Sequence, residues 1–133
     1  MLQRNHKAKR LDTGHWIEGF YSSYSDSKGN GNYQIRSNNG YQNDVDFTTV
    51  SQWLGLLDSE ENKIYENDIV EFFYCPKSLN EKVIGKIDRD EWGCPCVNNG
   101  KAIYHIQNAC WGKVIGNIFD NPEILEDVAQ HSI

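Results

Sequence analysis

The chain has 133 residues, of which 38% are hydrophobic and 24% charged, the size and composition of one globular domain. Its net charge of −6 is unevenly spread: Arg4, Lys7, Lys9 and Arg10 fall in the first ten residues, and the remainder holds nine basic against nineteen acidic residues, a balance of −10. A body so acidic repels phosphate and excludes duplex DNA binding except through that N-terminal arm, and no apolar run approaches the roughly 20 residues that span a bilayer, so a soluble, unexported, cytoplasmic protein is expected.

The 4 Trp, 7 Tyr and 5 Phe supply ample surface to bury despite a mean hydropathy of −0.68. Along the chain, Asp12-Thr13-Gly14 punctuates two short segments that pair as a hairpin. Its second segment sets Trp16, Glu18 and Phe20 on one face and Ile17, Gly19 and Tyr21 on the other, so a strand buried on both faces is expected, with Trp16 and Phe20 in the core. His15 has no neighbouring ligand or base and reads as a strand-end residue.

Residues 22–44 are rich in turn formers, with a short strand expected over residues 33–36 between Gly29-Asn30-Gly31-Asn32 and Asn38-Asn39-Gly40. We expect a mobile loop over 25–44. No Lys-Ser pair or helix start follows its glycines, so it lacks the parts of a phosphate cradle. Residues 48–54 read as a strand ending at Gly55, with Leu56-Leu57 resuming it. A polar surface turn over 58–63 and re-entry to the core at Ile64-Tyr65 follow. Glu60 and Glu61 are adjacent and point apart, which does not suit paired acid–base work.

Asn67 tolerates the left-handed backbone, and Asp68 is placed to fix the start of the following strand through a side-chain bond to the backbone. Val70, Phe72 and Tyr74 share an apolar face of that strand, which Pro76 stops. Further strands are expected over 82–88, 102–107 and 113–119, with Gly85 and Gly116 at bends. A helix of one or two turns begins with Asn121 as N-cap and Pro122 in its first turn. Many short strands between Gly, Asn and Asp turns indicate a mainly β protein: a small SH3-like barrel or curled antiparallel sheet. One domain is expected, with an N-terminal β portion over 1–48, a barrel-like portion over 49–125 and a loose tail over 126–133.

Two constellations could carry chemistry. Cys94-Pro95-Cys96 with Cys75, Cys110 and His105 could hold zinc, but such sites usually present two close cysteine pairs whereas Cys75 and Cys110 are lone, and free thiols are the plainer reading. A cysteine nucleophile would take His105 as its base, with an Asn or Asp to orient it. Tyr21, Tyr24, Tyr33 and Tyr41 could stack on single-stranded bases, against which the acidity of the chain weighs.

Residues 49–70 and 114–125 carry a resemblance. The chain resembles the YopX family of phage and prophage proteins at Thr49, Val50, Gln52, Gly55, Leu56, Asp58 and Lys63, then continuously from Ile64 to Glu66 and from Asp68 to Val70. It does so again at Ile115, Gly116, Asn117, Ile118, Asn121, Pro122, Glu123 and Leu125. Residues 7–21 also look like the family's opening. Ser51, Trp53, Leu54, Asn67 and Phe119 depart from the pattern, and Leu54 removes any polar role there. The resemblance implies a mainly β protein with an SH3-like barrel portion, self-association, and no catalytic, cofactor or metal residues to carry over.

Three functions follow as expectations. The first is a non-catalytic protein-binding or self-assembling module with no cofactor, acting as a homo-oligomer or on a host or phage protein. The alternative is a single-stranded nucleic-acid-binding protein using the basic arm. The last is a zinc or thiol enzyme.

Overall fold

The computed structural model describes residues 6–37, 39–74, 82–106 and 109–131. The chain divides into two compact units, residues 1–53 and 54–133.

In the first unit, β1 (His6–Lys9) and β2 (Trp16–Ser25) form the expected hairpin, with Lys7 opposite Glu18 and Lys9 opposite Trp16. β3 (Gly31–Arg36) and β4 (Gln42–Asp44) follow within the stretch whose composition suggested a loop. A 3-10 turn over Phe47–Thr49 leads into β5 (Ser51–Leu57). That turn replaces the expected start of the strand at residue 48, because the Asp46 carboxylate accepts from Thr48 N–H at 3.0 Å and caps it. β5 then runs through Gly55, which adopts φ +81 within the strand instead of ending it.

β2 changes partner partway: residues up to Gly19 pair with β1, and Phe20 onward with β3. Ala8, Ile35 and Val45 form the core of this unit, with Ile17, Tyr21, Tyr33 and Val50 packed against it. Trp16 and Phe20 do not join them. They lie half-buried on the opposite face, where Lys7 Nζ and Lys9 Nζ stand 4.7 and 5.6 Å from the Trp16 ring centroid. An indole whose face draws cations gains about 0.5–1 kcal/mol at such a site without needing a core.

In the second unit the end of β5 is joined to β6 (Lys63–Tyr65) by a turn over 58–62. β7 (Asp68–Tyr74), β8 (Lys82–Arg89), β9 (Pro95–Asn98), β10 (Ile103–His105) and β11 (Ala109–Asn117) make an antiparallel sheet in the order β10-β9-β8-β7-β11. Val70, Phe72, Val83, Ile87 and Val97 form its core, joined by Leu54, Ile64, Tyr104, Ile106 and Val114. Among the described residues no ladder joins β10 to β11, so the sheet is open and not the closed barrel that was one form of the expectation. Gly116 does sit at a register shift in β11, whereas Gly85 lies in unbroken register opposite Val70. Pro76 and residues 75–81 fall outside the description.

Helix α1 (Pro122–His131) lies against β8 and is longer than the one or two turns expected, extending into the predicted tail. Asn121 precedes it, and its Oδ1 accepts from Asn117 N–H at 3.3 Å, bracing the end of β11.

Three turns repeat one design over residues 26–30, 58–62 and 90–94. In each, Oδ1 of the leading aspartate accepts from the N–H groups two and four residues on: Lys28 and Asn30, Glu60 and Asn62, Trp92 and Cys94, at 2.8–2.9 Å. The fourth residue has a left-handed backbone, φ +84 at Gly29, +66 at Glu61 and +82 at Gly93. A side chain in that region costs about 1–2 kcal/mol, partly offset by the extra freedom glycine brings to the unfolded chain. Glu61→Gly is therefore expected to stabilise the protein by about 0.5–1 kcal/mol, read as a higher urea midpoint. A lowered midpoint would mean that Glu61 contributes a contact outweighing its backbone strain.

Candidate binding surfaces

The side chains that could do chemistry are for the most part engaged by the backbone. Asp68 is buried and its Oδ2 accepts from Tyr65 N–H at 2.8 Å, while Asn67 beside it has φ +69, so both act at the start of β7 as their types suggest. Asp58 is 4% exposed; besides its turn bonds, its Oδ2 accepts from Val114 N–H of β11 at 3.0 Å. Burial pushes the Asp58 carboxyl up, but the N–H groups of Val114, Asn62 and Glu60 together more than offset this and hold it below the ordinary carboxylate range. Glu60 and Glu61, adjacent in the turn, are both exposed.

Asp90 leads the turn between β8 and β9 and meets His105 of β10, Oδ2 to Nε2, at 3.3 Å. The Cys94 N–H is the main cause holding the Asp90 carboxyl low, with the Trp92 N–H and His105 adding to it against a smaller opposing effect of burial. Cys94 is exposed and Cys96 buried. Burial raises the Cys96 thiol, and the neighbouring Asp88, Asp90 and Cys94 raise it further, the opposite of what a thiolate nucleophile needs. Cys75 and the side chain of Cys110 fall outside the description. Among the described residues no three His, Cys, Asp or Glu side chains converge as metal ligands. Among the described residues, no helix is long and apolar enough to cross a membrane.

The basic N-terminal residues are not a free arm from His6 onward. Lys7 and Lys9 belong to β1, and Arg10 forms a 2.7 Å ion pair with Asp12. The four tyrosines grouped by sequence part company. Tyr21 and Tyr33 face the core, with Tyr21 5.5 Å from the His6 ring and Tyr33 stacked on Phe47 at 4.7 Å; Tyr24 and Tyr41 are exposed. His15 is exposed at the start of β2, as its isolation suggests.

Several large apolar side chains point to solvent. Trp92, at the tip of the turn between β8 and β9, is 79% exposed, and Ile103 on the edge strand β10 is 55% exposed. The sequence alone does not single out Trp92. Its signal is the aspartate two residues before it and the glycine after it, which together fix a tight turn and aim the ring outward.

Two antiparallel sheets, with aspartates absorbed in turns and aromatic groups left at hairpin tips, define a mainly β scaffold that displays apolar side chains. The chain belongs to the YopX family: the family described as YopX protein matches it over residues 5–126, nearly its whole length. No curated protein matches it.

Proposed function

We propose that this chain is a phage- or prophage-encoded, non-catalytic module that binds a protein partner or a second copy of itself in the cytoplasm of the bacterial host. The observation that carries this reading is the exposure of Trp92 on a turn held rigid by Asp90. Tryptophan anchors dominate many protein interfaces because they bury a large rigid surface at low entropic cost. Support for a non-catalytic role comes from Asp26, Asp58, Asp68 and Asp90, whose carboxylates each accept backbone N–H groups. Membership of a family found in phages and prophages supports the source.

Sedimentation velocity over a concentration series tests the reading. Wild-type protein is expected to associate or to co-sediment with a phage or host protein, and Trp92→Ala to weaken that association at least about ten-fold with an unchanged far-ultraviolet circular dichroism spectrum. A strict monomer with no partner recovered from infected cells would overturn it.

A further inference from the structure

The charge totals of the whole chain conceal a division between its units. Residues 1–53 hold six basic and five acidic side chains, whereas residues 54–133 hold seven basic and fourteen acidic. The acidity that weighs against a polyanionic ligand therefore belongs to the second unit, while the first carries a balance of +1.

Within the first unit, β2 carries an ordered surface. Ile17 and Tyr21 pack inward, so alternation sets Trp16, Glu18, Phe20, Ser22 and Tyr24 outward. Every second outward position is aromatic, and a rise of about 3.3 Å per residue spaces the rings by about 13 Å. The neighbouring strands frame this stripe. Lys9 lies opposite Trp16 and Lys7 opposite Glu18; on the other side Arg36 lies opposite Phe20, Gln34 opposite Ser22 and Asn32 opposite Tyr24. The Trp16 ring holds two ammonium groups within 5.6 Å of its centroid, so it positions charge and is not itself free for stacking.

We propose that this outward face of β2 binds single-stranded nucleic acid. Phe20 and Tyr24 offer rings on which unpaired bases stack, Lys7, Lys9 and Arg36 meet the phosphates, and Trp16 acts as a positioning residue for the lysines. Stacking requires bases out of a duplex, which selects single strands. An acidic protein segment would satisfy the cations but leave the rings without their complementary faces. This site is distinct from the Trp92 turn and does not rest on the protein-binding reading.

The test is fluorescence anisotropy of a labelled oligothymidylate of about 20 nucleotides, longer than the roughly 13 Å between neighbouring rings of the stripe requires. Binding is expected to weaken as salt rises from about 50 to 200 mM, and Lys7→Gln with Lys9→Gln to reduce the slope of log affinity against log salt by about 1.4. Tyr24→Ala, at an exposed position, is expected to weaken binding about ten-fold without altering the thermal midpoint. Trp92→Ala should leave oligonucleotide binding unchanged. No anisotropy change at low salt would overturn the proposal. So would equal affinity in both β2-face variants, or competition by an oligoglutamate of matched charge as effective as that by unlabelled oligonucleotide; the last would assign the face to an acidic protein.

Discussion

Asp58→Ala is expected to lower the stability of the protein by about 3 kcal/mol, a large part of the roughly 5–15 kcal/mol available to a domain. The carboxylate is buried and accepts from three backbone N–H groups, those of Glu60, Asn62 and Val114, and from the Asn62 side-chain amide. Alanine leaves these donors facing a void and removes the side-chain tie between the β5–β6 turn and β11, leaving the backbone bond from Ser59 N–H to the Gly112 carbonyl at 2.9 Å. Asp58→Asn separates charge from shape. Its carbonyl could keep the two turn bonds, but its NH2 would then confront the Val114 N–H, donor against donor, so a loss of about 2 kcal/mol is expected even in this near-isostere. Both values are read from urea midpoints at constant slope.

The pH dependence follows from the same geometry. The folded carboxyl lies below its unfolded value near about 3.9, so the unfolded chain takes up a proton first as pH falls. The stabilisation is therefore whole above about pH 4 and is lost as pH drops through the folded value. Asp26 and Asp90 shift in the same direction, Asp26 chiefly through the Asn30 N–H. The gap between wild type and Asp58→Asn should accordingly narrow below about pH 4. A gap constant with pH would show that Asp58 acts through shape alone.

The turns were the most legible part of this fold, because their chemistry is local. Asn67 carries the left-handed backbone and Asp68 binds the backbone at the start of β7, as their types and order predict. Strands β7 and β8 also fall close to their expected ranges, since period-two alternation is strong there. What could not be read was non-local. Asp58 looks like any surface-turn aspartate in sequence, and only its register against Val114, 56 positions away, makes it a buried anchor. The half-burial of Trp16 is similar: an aromatic residue in an alternating segment reads as core until Lys7 and Lys9 are found across from it. The open sheet likewise depends on which strands end at its edges, and composition does not encode that.

Gly19→Ala sets two effects of opposite sign against each other, and their magnitudes decide the outcome. Glycine inside a strand is unfavourable, so propensity alone gives alanine an advantage of about 0.5–1 kcal/mol. At this position, however, an added Cβ would lie 2.0 Å from the Arg36 carbonyl oxygen, 2.8 Å from the Arg36 carbonyl carbon and 3.0 Å from Ile35 Cγ2. Two of the three are backbone atoms, which cannot swing aside like the end of a side chain. Relief requires β2 and β3 to move apart where β2 exchanges one partner for the other, next to the fully buried Ile35. Overpacking of this kind costs about 3 kcal/mol, several times the propensity gain, so net destabilisation of about 2 kcal/mol or more is expected. Ser22→Ala, exposed on the same strand, should change stability by less than about 0.5 kcal/mol and reports propensity without the clash. Amide exchange then locates the damage. Faster exchange across the β2–β3 ladder is the expected signature, with β7 and β8 retaining their protection if the first unit opens by itself. If Gly19→Ala were as stable as wild type, the close approach of β2 to the Arg36 carbonyl would not be a constraint on this fold.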